Sequence, residues 1–194
     1  MPILSVRCAQ LRRDYVQMGA SVWPPPLWLR PLRQDDEGAV RTAEASMHDE
    51  AFEFAFNFTR ETDWAEYLSD LDRQRAGLNL AEGRVPATFL VAEADGEIVG
   101  RSSIRHRLNP FLEHEGGHIG YCVLRQFRRR GFATQILRQS LVIARSVGVE
   151  RALVTCDDDN LGSITIIERC GGNLEDVVMS SINRVRIRRY WFGY

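Results

Sequence analysis

Between residues 117 and 156 the apolar positions change period twice, and the change defines a strand–helix–strand unit. Gly117-His118-Ile119-Gly120-Tyr121-Cys122-Val123 is short, apolar and rich in aromatic and β-branched residues, the signature of a buried strand. Ala133, Ile136, Leu137, Ser140, Leu141, Ala144 and Val147 then recur at helical spacing, and Gly148 stands where a helix stop is expected. Arg151–Cys156 follows as a second short apolar strand. Upstream, Leu27–Leu32 reads as a strand, and Gln34-Asp35-Asp36 supplies acidic capping chemistry for a helix running to about Met47. Trp64, Tyr67, Leu68 and Leu71 keep a helical period. Thr88–Ala94 and Ile98–Arg107 pair as a hairpin through Asp95-Gly96, and Asn173–Ser181 pairs with Arg184–Trp191 through a turn near Ile182-Asn183. Phe52, Phe54, Phe56 and Phe58 alternate strictly between helical patterns; core packing is the expectation, with a loop beside a substrate as the alternative.

The turn inside the strand–helix–strand unit carries chemistry. Val123, Leu124 and Arg125 lead through Phe127 to Arg128, Arg129, Arg130, Gly131, Phe132, Ala133 and Thr134. A helix start leaves its first backbone N–H groups without intrahelical partners, and the macrodipole adds partial positive charge there, so a pyrophosphate can replace the missing acceptors. Gly131 lets such a group approach the main chain, and Arg128 and Ala133 complete the pattern R-x-x-G-x-A. A second loop-to-helix junction, Asp157-Asp158-Asp159-Asn160-Leu161-Gly162-Ser163, offers a side-chain amide and further free N–H groups. Asn160 or Asp159 can equally serve only as a helix cap.

Composition narrows the alternatives. The 194 residues are 44% hydrophobic, enough to bury a full core in one domain without metals or disulfides. A net charge of -1 argues against a general nucleic-acid binder. All 25 basic residues are arginine, so codon bias weakens the Arg128–Arg130 run as a sign of selection for phosphate. Alternation of Arg184–Arg189 with Val185 and Ile187 reads as a strand with an arginine-rich solvent side. Cys8, Cys122, Cys156 and Cys170 form no C-x-x-C pair, and buried thiols are expected, with no metal. No apolar run suits a bilayer and no signal-peptide plan opens the chain, so a cytoplasmic protein with no membrane partner is expected. Residues 1–26 end in Trp23-Pro24-Pro25-Pro26 and read as an extension outside the core domain of residues 27–194, with Met18 an internal candidate start.

The R-x-x-G-x-A turn resembles the acetyl-coenzyme A signature Q/R-x-x-G-x-G/A of the GNAT N-acetyltransferase superfamily, and the order of elements over about residues 27–192 is similar to that family's. The resemblance implies an α+β fold: a central mixed, mostly antiparallel twisted sheet of about seven strands flanked by helices. It implies acetyl-CoA as cosubstrate, held by residues 123–125, 128–134, Asn160 and Ser163, and direct attack by a primary amine of a small molecule or peptide. Backbone N–H groups around Val123–Arg125 would polarise the thioester carbonyl. The blocks His118–Tyr121, Val154–Asn160, Gly171-Gly172 and Arg189–Trp191 resemble a subgroup of bacterial acetyltransferases, and either a monomer or a homodimer is compatible with it.

The catalytic groups are less defined. Where many family members place a carboxylate, this chain has His118, which can accept a proton near neutral pH. Glu115 can do so through a water, and a structural histidine is the alternative. The tyrosine that many members carry seven residues after the asparagine is Ile167 here, so no general acid transfers from the family. That gap keeps a second class open, a coenzyme A-binding sensor or scaffold. Asp49, Glu50, Glu53 and Glu61 could attract a cationic acceptor or form a solvated face.

Overall fold

The computed structural model describes residues 25–48 and 52–193, so all but the last two residues of the expected extension, together with Cys8, Asp49 and Glu50, lie outside the described residues. Among the described residues there are seven strands: β1 (Leu27–Arg30), β2 (Ala87–Ala94), β3 (Glu97–Arg105), β4 (Ile119–Val123), β5 (Arg151–Asp157), β6 (Asn173–Met179) and β7 (Arg186–Gly193). Four α-helices accompany them among the described residues: α1 (Glu37–Met47), α2 (Trp64–Ala76), α3 (Phe132–Ser146) and α4 (Leu161–Arg169).

The strands form two antiparallel halves, ordered β1-β2-β3-β4 and β5-β7-β6. The expected hairpins exist: β2 and β3 join through Asp95-Gly96, both at positive φ, and Ser180 N–H donates to the Val185 carbonyl to close β6 onto β7. The two halves are stapled near the start of β4. His118 N–H donates to the Leu153 carbonyl at 2.7 Å, the Leu153 N–H returns to His118 Nδ1 at 2.9 Å, and Thr155 Oγ1 donates to the Glu115 carbonyl at 2.8 Å. Gly117 permits the approach, because its φ is +64° and an added Cβ would lie 2.8 Å from the Leu153 oxygen. Toward Val123 no ladder joins β4 to β5 among the described residues, and a gap opens there.

Alternation along β3 and β4 assigns opposite faces to opposite tasks. One face packs Val40, Ala43 and Met47 of α1 and Trp64 and Tyr67 of α2 on Phe89, Val91 and Ile98. The other packs Leu137 and Ala144 of α3 and Ile167 of α4 on Ile104, Ile119, Val154 and Tyr190. The phenylalanine run is an irregular turn rather than a strand. Phe54 and Phe58 enter the first core, while Phe52 and Phe56 lie 4.8 and 4.5 Å from the Arg101 guanidinium. Arg101 is 2% exposed and donates to the carbonyls of Phe54, Glu53 and Gly120, so a buried arginine ties this segment to the sheet. At the start of α1, Asp36 receives Arg30 through two bonds of 2.6 and 2.8 Å. Burial raises the Asp36 pKa, but Arg30 and the Arg33 N–H more than offset it and hold the carboxyl below its usual value.

Candidate functional site

A cleft of about 830 Å³ opens at the gap between β4 and the second half-sheet. Tyr121, Cys122 and Val123 of β4 form one wall, the turn and start of α3 a second, and Asn160–Ser163, Thr165, Ile166 and Arg169 a third; Met47 and Phe52 close it. Of the residues singled out in the sequence, the structure brings together Val123, Arg128, Arg129, Gly131, Phe132, Ala133, Thr134, Asn160 and Ser163. Leu124 is instead buried in the α1–α2 core, Arg125 is outside the lining, and Arg130 lies 5.6 Å from the Phe127 ring.

The turn has the shape an anion requires. Arg129 and Gly131 both take positive φ, +63° and +79°, with Arg128 extended, the kind of backbone in which neighbouring N–H groups can turn toward one anion. Gly131 is the residue preceding α3, where no side chain caps the helix, and the first intrahelical bond runs from Gln135 N–H to the Gly131 carbonyl. The N–H groups of Phe132, Ala133 and Thr134 therefore precede that bond and point into the cleft end. Arg128 does not reach outward as the motif suggests: its Nε donates to the Val123 carbonyl at 3.0 Å, which folds the turn onto the end of β4. Asn160 caps α4, its Oδ1 accepting from Ser163 N–H at 3.0 Å, and still lines the cleft.

The backbone of β4 discriminates among the expected thioester donors. Leu124 N–H donates to the Val99 carbonyl at 2.9 Å and is engaged. The register sets Val123 opposite Gly100, the non-hydrogen-bonded position next to that bond, so the Val123 N–H points away from β3 and toward the gap.

His118 and Glu115 do not reach this cleft. His118 is 7% exposed and its Nδ1 accepts the Leu153 N–H, which fixes the ring proton on Nε2. Burial, with Arg105 nearby, pushes its pKa down to about 4. The Glu115 carboxylate accepts from the Ser180 hydroxyl at 2.5 Å and from the Ser181 hydroxyl and N–H, locking the β6–β7 hairpin to the turn before β4. Burial raises its pKa, and the serine bonds offset this to hold it below its usual value. Burial likewise pushes the Cys156 thiol up to about 11 and raises Cys170, leaving neither activated.

Tyr121, Met47 and Arg169 line the cleft without a sequence signal for that role, and Phe52 lines it in keeping with the alternative reading of the phenylalanine run. Tyr121 was legible as a β4 residue of the same alternation as Ile119 and Val123. Its buried hydroxyl has no hydrogen-bond partner, although Ser163 lies beside it; burial raises its pKa, with Ser163 opposing. Ile167, where a tyrosine was looked for, is fully buried in the α3–α4 core.

Residues 26–173 match the family model of the acetyltransferase (GNAT) domain, and the chain belongs to that family. Solved structures agree on the fold. RimJ of Mycobacterium smegmatis, in complex with a CoA disulfide, superimposes with a TM-score of 0.63 at 20% identity over 86% of this chain and 81% of its own. RimL, the ribosomal L7/L12 alpha-N-protein acetyltransferase in complex with coenzyme A, gives 0.61 at 18% identity over 86% and 93%. The microcin C7 self-immunity acetyltransferase MccE, in complex with acetyl-CoA and AMP, gives 0.59 at 18% identity over 87% and 92%. No curated protein matches the chain.

Proposed function

We propose that the protein transfers an acetyl group from acetyl-CoA to a primary amine of a small molecule or peptide, by direct attack in a ternary complex. The observation that carries this reading is the pairing of an uncapped α3 start, wrapped by the positive-φ turn at Arg129–Gly131, with a β4 edge whose Val123 N–H faces the same cleft. The first fits a pyrophosphate, the second a pantetheine amide or the thioester oxygen, and the gap between the half-sheets leads from one to the other. Asn160, Ser163 and Tyr121 add polar groups along that route. The site needs no metal for this reaction, since the transition-state charge on the thioester oxygen is met by backbone N–H groups.

Proton handling follows from what the side chains are already doing. His118 holds the two half-sheets together and Glu115 holds the β6–β7 hairpin, so the base role expected of them gives way to a structural one. The attacking amine then loses its proton to solvent. In place of a side chain at 167, the Tyr121 hydroxyl, which burial keeps protonated, passes its proton to the departing thiolate and recovers one from solvent before the next turnover. The soluble cytoplasm as the place of action rests on the sequence alone; among the described residues no helix is long and apolar enough to cross a membrane.

Mixing the protein with acetyl-CoA and a panel of amines, with free thiol and acetylated amine both quantified, tests the proposal. Amine-dependent thiol release is the expected result. Tight coenzyme A binding with no turnover on any amine would instead support a binding module, the reading that the buried Ile167 favours.

A further inference from the structure

Arg101, Ser103 and Arg105 share the β3 face that looks toward α1, α2 and the Phe52–Phe58 turn, and Gly120 lies opposite Ser103 on β4. Both guanidinium groups converge over Gly120: a Cβ added there would lie 3.0 Å from Arg105 Nη1 and 3.7 Å from Arg101 Nη1. Arg101 is satisfied by three carbonyls and two aromatic faces. Arg105 is not. Its guanidinium makes no hydrogen bond or ion pair among the described residues, and the charges that act on it are Arg101 and Arg84, both cations. The residue is only partly exposed, and desolvation is the main cause that pulls its pKa down to about 10.

An arginine set beside cations, with a glycine in front of it and no carboxylate acting on it among the described residues, is an unfavourable arrangement for a folded chain alone. It becomes favourable when an oxyanion arrives, because the planar fork receives a carboxylate or phosphate through two parallel bonds. Resting on the acetyltransferase reading above, we infer that Arg105, reinforced by the charge of Arg101, binds an anionic group of the acceptor, so that the acceptor class is an amine that also carries a carboxylate or phosphate. The strand gives a ruler. Gly120 stands two to three residues from Cys122 and Val123, and at about 3.4 Å per residue the anion and the attacking amine are separated by roughly 7–10 Å. Asp49, Glu50, Glu53 and Glu61 read from sequence as either an attraction for a cationic acceptor or a solvated face; the side chains at this face of β3 point to an acceptor with an anionic end.

The test uses matched acceptors of that span: 6-aminohexanoate and its amide, and 6-aminohexyl phosphate and 6-aminohexanol. Wild-type protein should acetylate the anionic member of at least one pair about tenfold or more better in kcat/KM, and the better pair identifies carboxylate or phosphate as the source. In Arg105→Gln the preference should fall to within about twofold while the KM for acetyl-CoA is unchanged. Equal rates within both pairs for wild type, or a preference that survives Arg105→Gln, overturns the inference. A readout free of turnover keeps it decidable if no acceptor reacts. Inorganic phosphate and 6-aminohexanoate, at ionic strength matched with sodium chloride, should raise the wild-type thermal midpoint more than that of Arg105→Gln, and an equal response in both proteins overturns the inference. Stabilisation by coenzyme A, measured on the same preparations, reports separately on the acetyltransferase reading.

Discussion

Acidification should loosen the joint between the half-sheets, because that joint needs a neutral imidazole. The His118 Nδ1 accepts the Leu153 N–H, and a proton there would replace a hydrogen bond with a clash of donors. The folded pKa is about 4 against an ordinary 6.5, so the unfolded chain binds the proton more readily than the fold does. Stability from this group is therefore complete above pH 6.5 and is lost as pH falls toward 4. Between pH 7 and pH 5 the loss is about 2 kcal/mol, and for a domain of this size it lowers the thermal midpoint by roughly 4–8 °C. Of the perturbed carboxylates, Asp36, Glu61, Glu115 and Asp176 lie below their ordinary values and Asp157 above, and burial lowers His106 too; these groups are common to wild type and a His118 variant, so the difference between those two proteins isolates His118. The measurement is urea unfolding at pH 7 and pH 5 for wild type and for His118→Asn, whose side-chain oxygen can accept the same N–H without titrating. Wild type should lose about 2 kcal/mol more than the variant between the two conditions. Parallel losses in the two proteins would refute the reasoning and return His118 to the list of groups that titrate near neutrality.

Other consequences are sharper for ligand and rate than for stability. Coenzyme A at about 100 times its Kd should stabilise the protein by about 2.7 kcal/mol in thermal scans, and Gly131→Val, which puts a β-branched residue at φ +79°, should weaken coenzyme A binding by calorimetry about tenfold or more while the circular dichroism spectrum is retained. Tyr121→Phe should lower kcat about 10- to 100-fold with less than tenfold change in coenzyme A affinity, and unchanged kcat would remove the phenol from the reaction. The pH dependence of kcat/KM should follow the pKa of whichever amine is supplied, with no limb at 6.5 attributable to His118; a limb that stays near 6.5 across several amines, and vanishes in His118→Asn, would restore the histidine as base.

Element order and the glycine turn before α3 were legible because both depend on local signals. The period change around Gly131, the Asp95-Gly96 turn and the acidic start of α1 each act within a few residues, and each appears in the fold at the expected place. Side-chain roles were not legible, because they depend on where a side chain is already committed. Arg128 lines the cleft, but its Nε is committed to the Val123 carbonyl, and the Leu124 N–H is committed to Val99, neither of which a local pattern shows. His118 is the clearest instance: its chemistry allows a base, and a single backbone N–H from a strand about 35 residues away removes the lone pair that the role needs. The phenylalanine alternation misleads about conformation for a related reason. The run buries alternate rings in the core and wraps the others around Arg101, which a periodicity argument confined to one segment has no means of including.

The two faces of β4 divide the work of the site, and the division explains why its polar groups are unevenly satisfied. On the α3–α4 face and along the open edge, the available groups are backbone N–H donors and one phenol, all placed by secondary structure and uncharged at neutral pH. Such groups suit a cosubstrate that is the same in every turnover, and they cost little to hold because strands and helix starts produce them anyway. On the α1–α2 face the groups are guanidinium ions on β3, whose burial the fold must offset: Arg101 draws on three carbonyls and two rings, and Arg105 is left with none of these. A charge held at that disadvantage makes the face selective, since a neutral acceptor leaves the penalty in place and an anionic one relieves it. Arg105→Gln should therefore leave the empty protein at least as stable as wild type in thermal scans without added anion, a result that a purely structural arginine would not give.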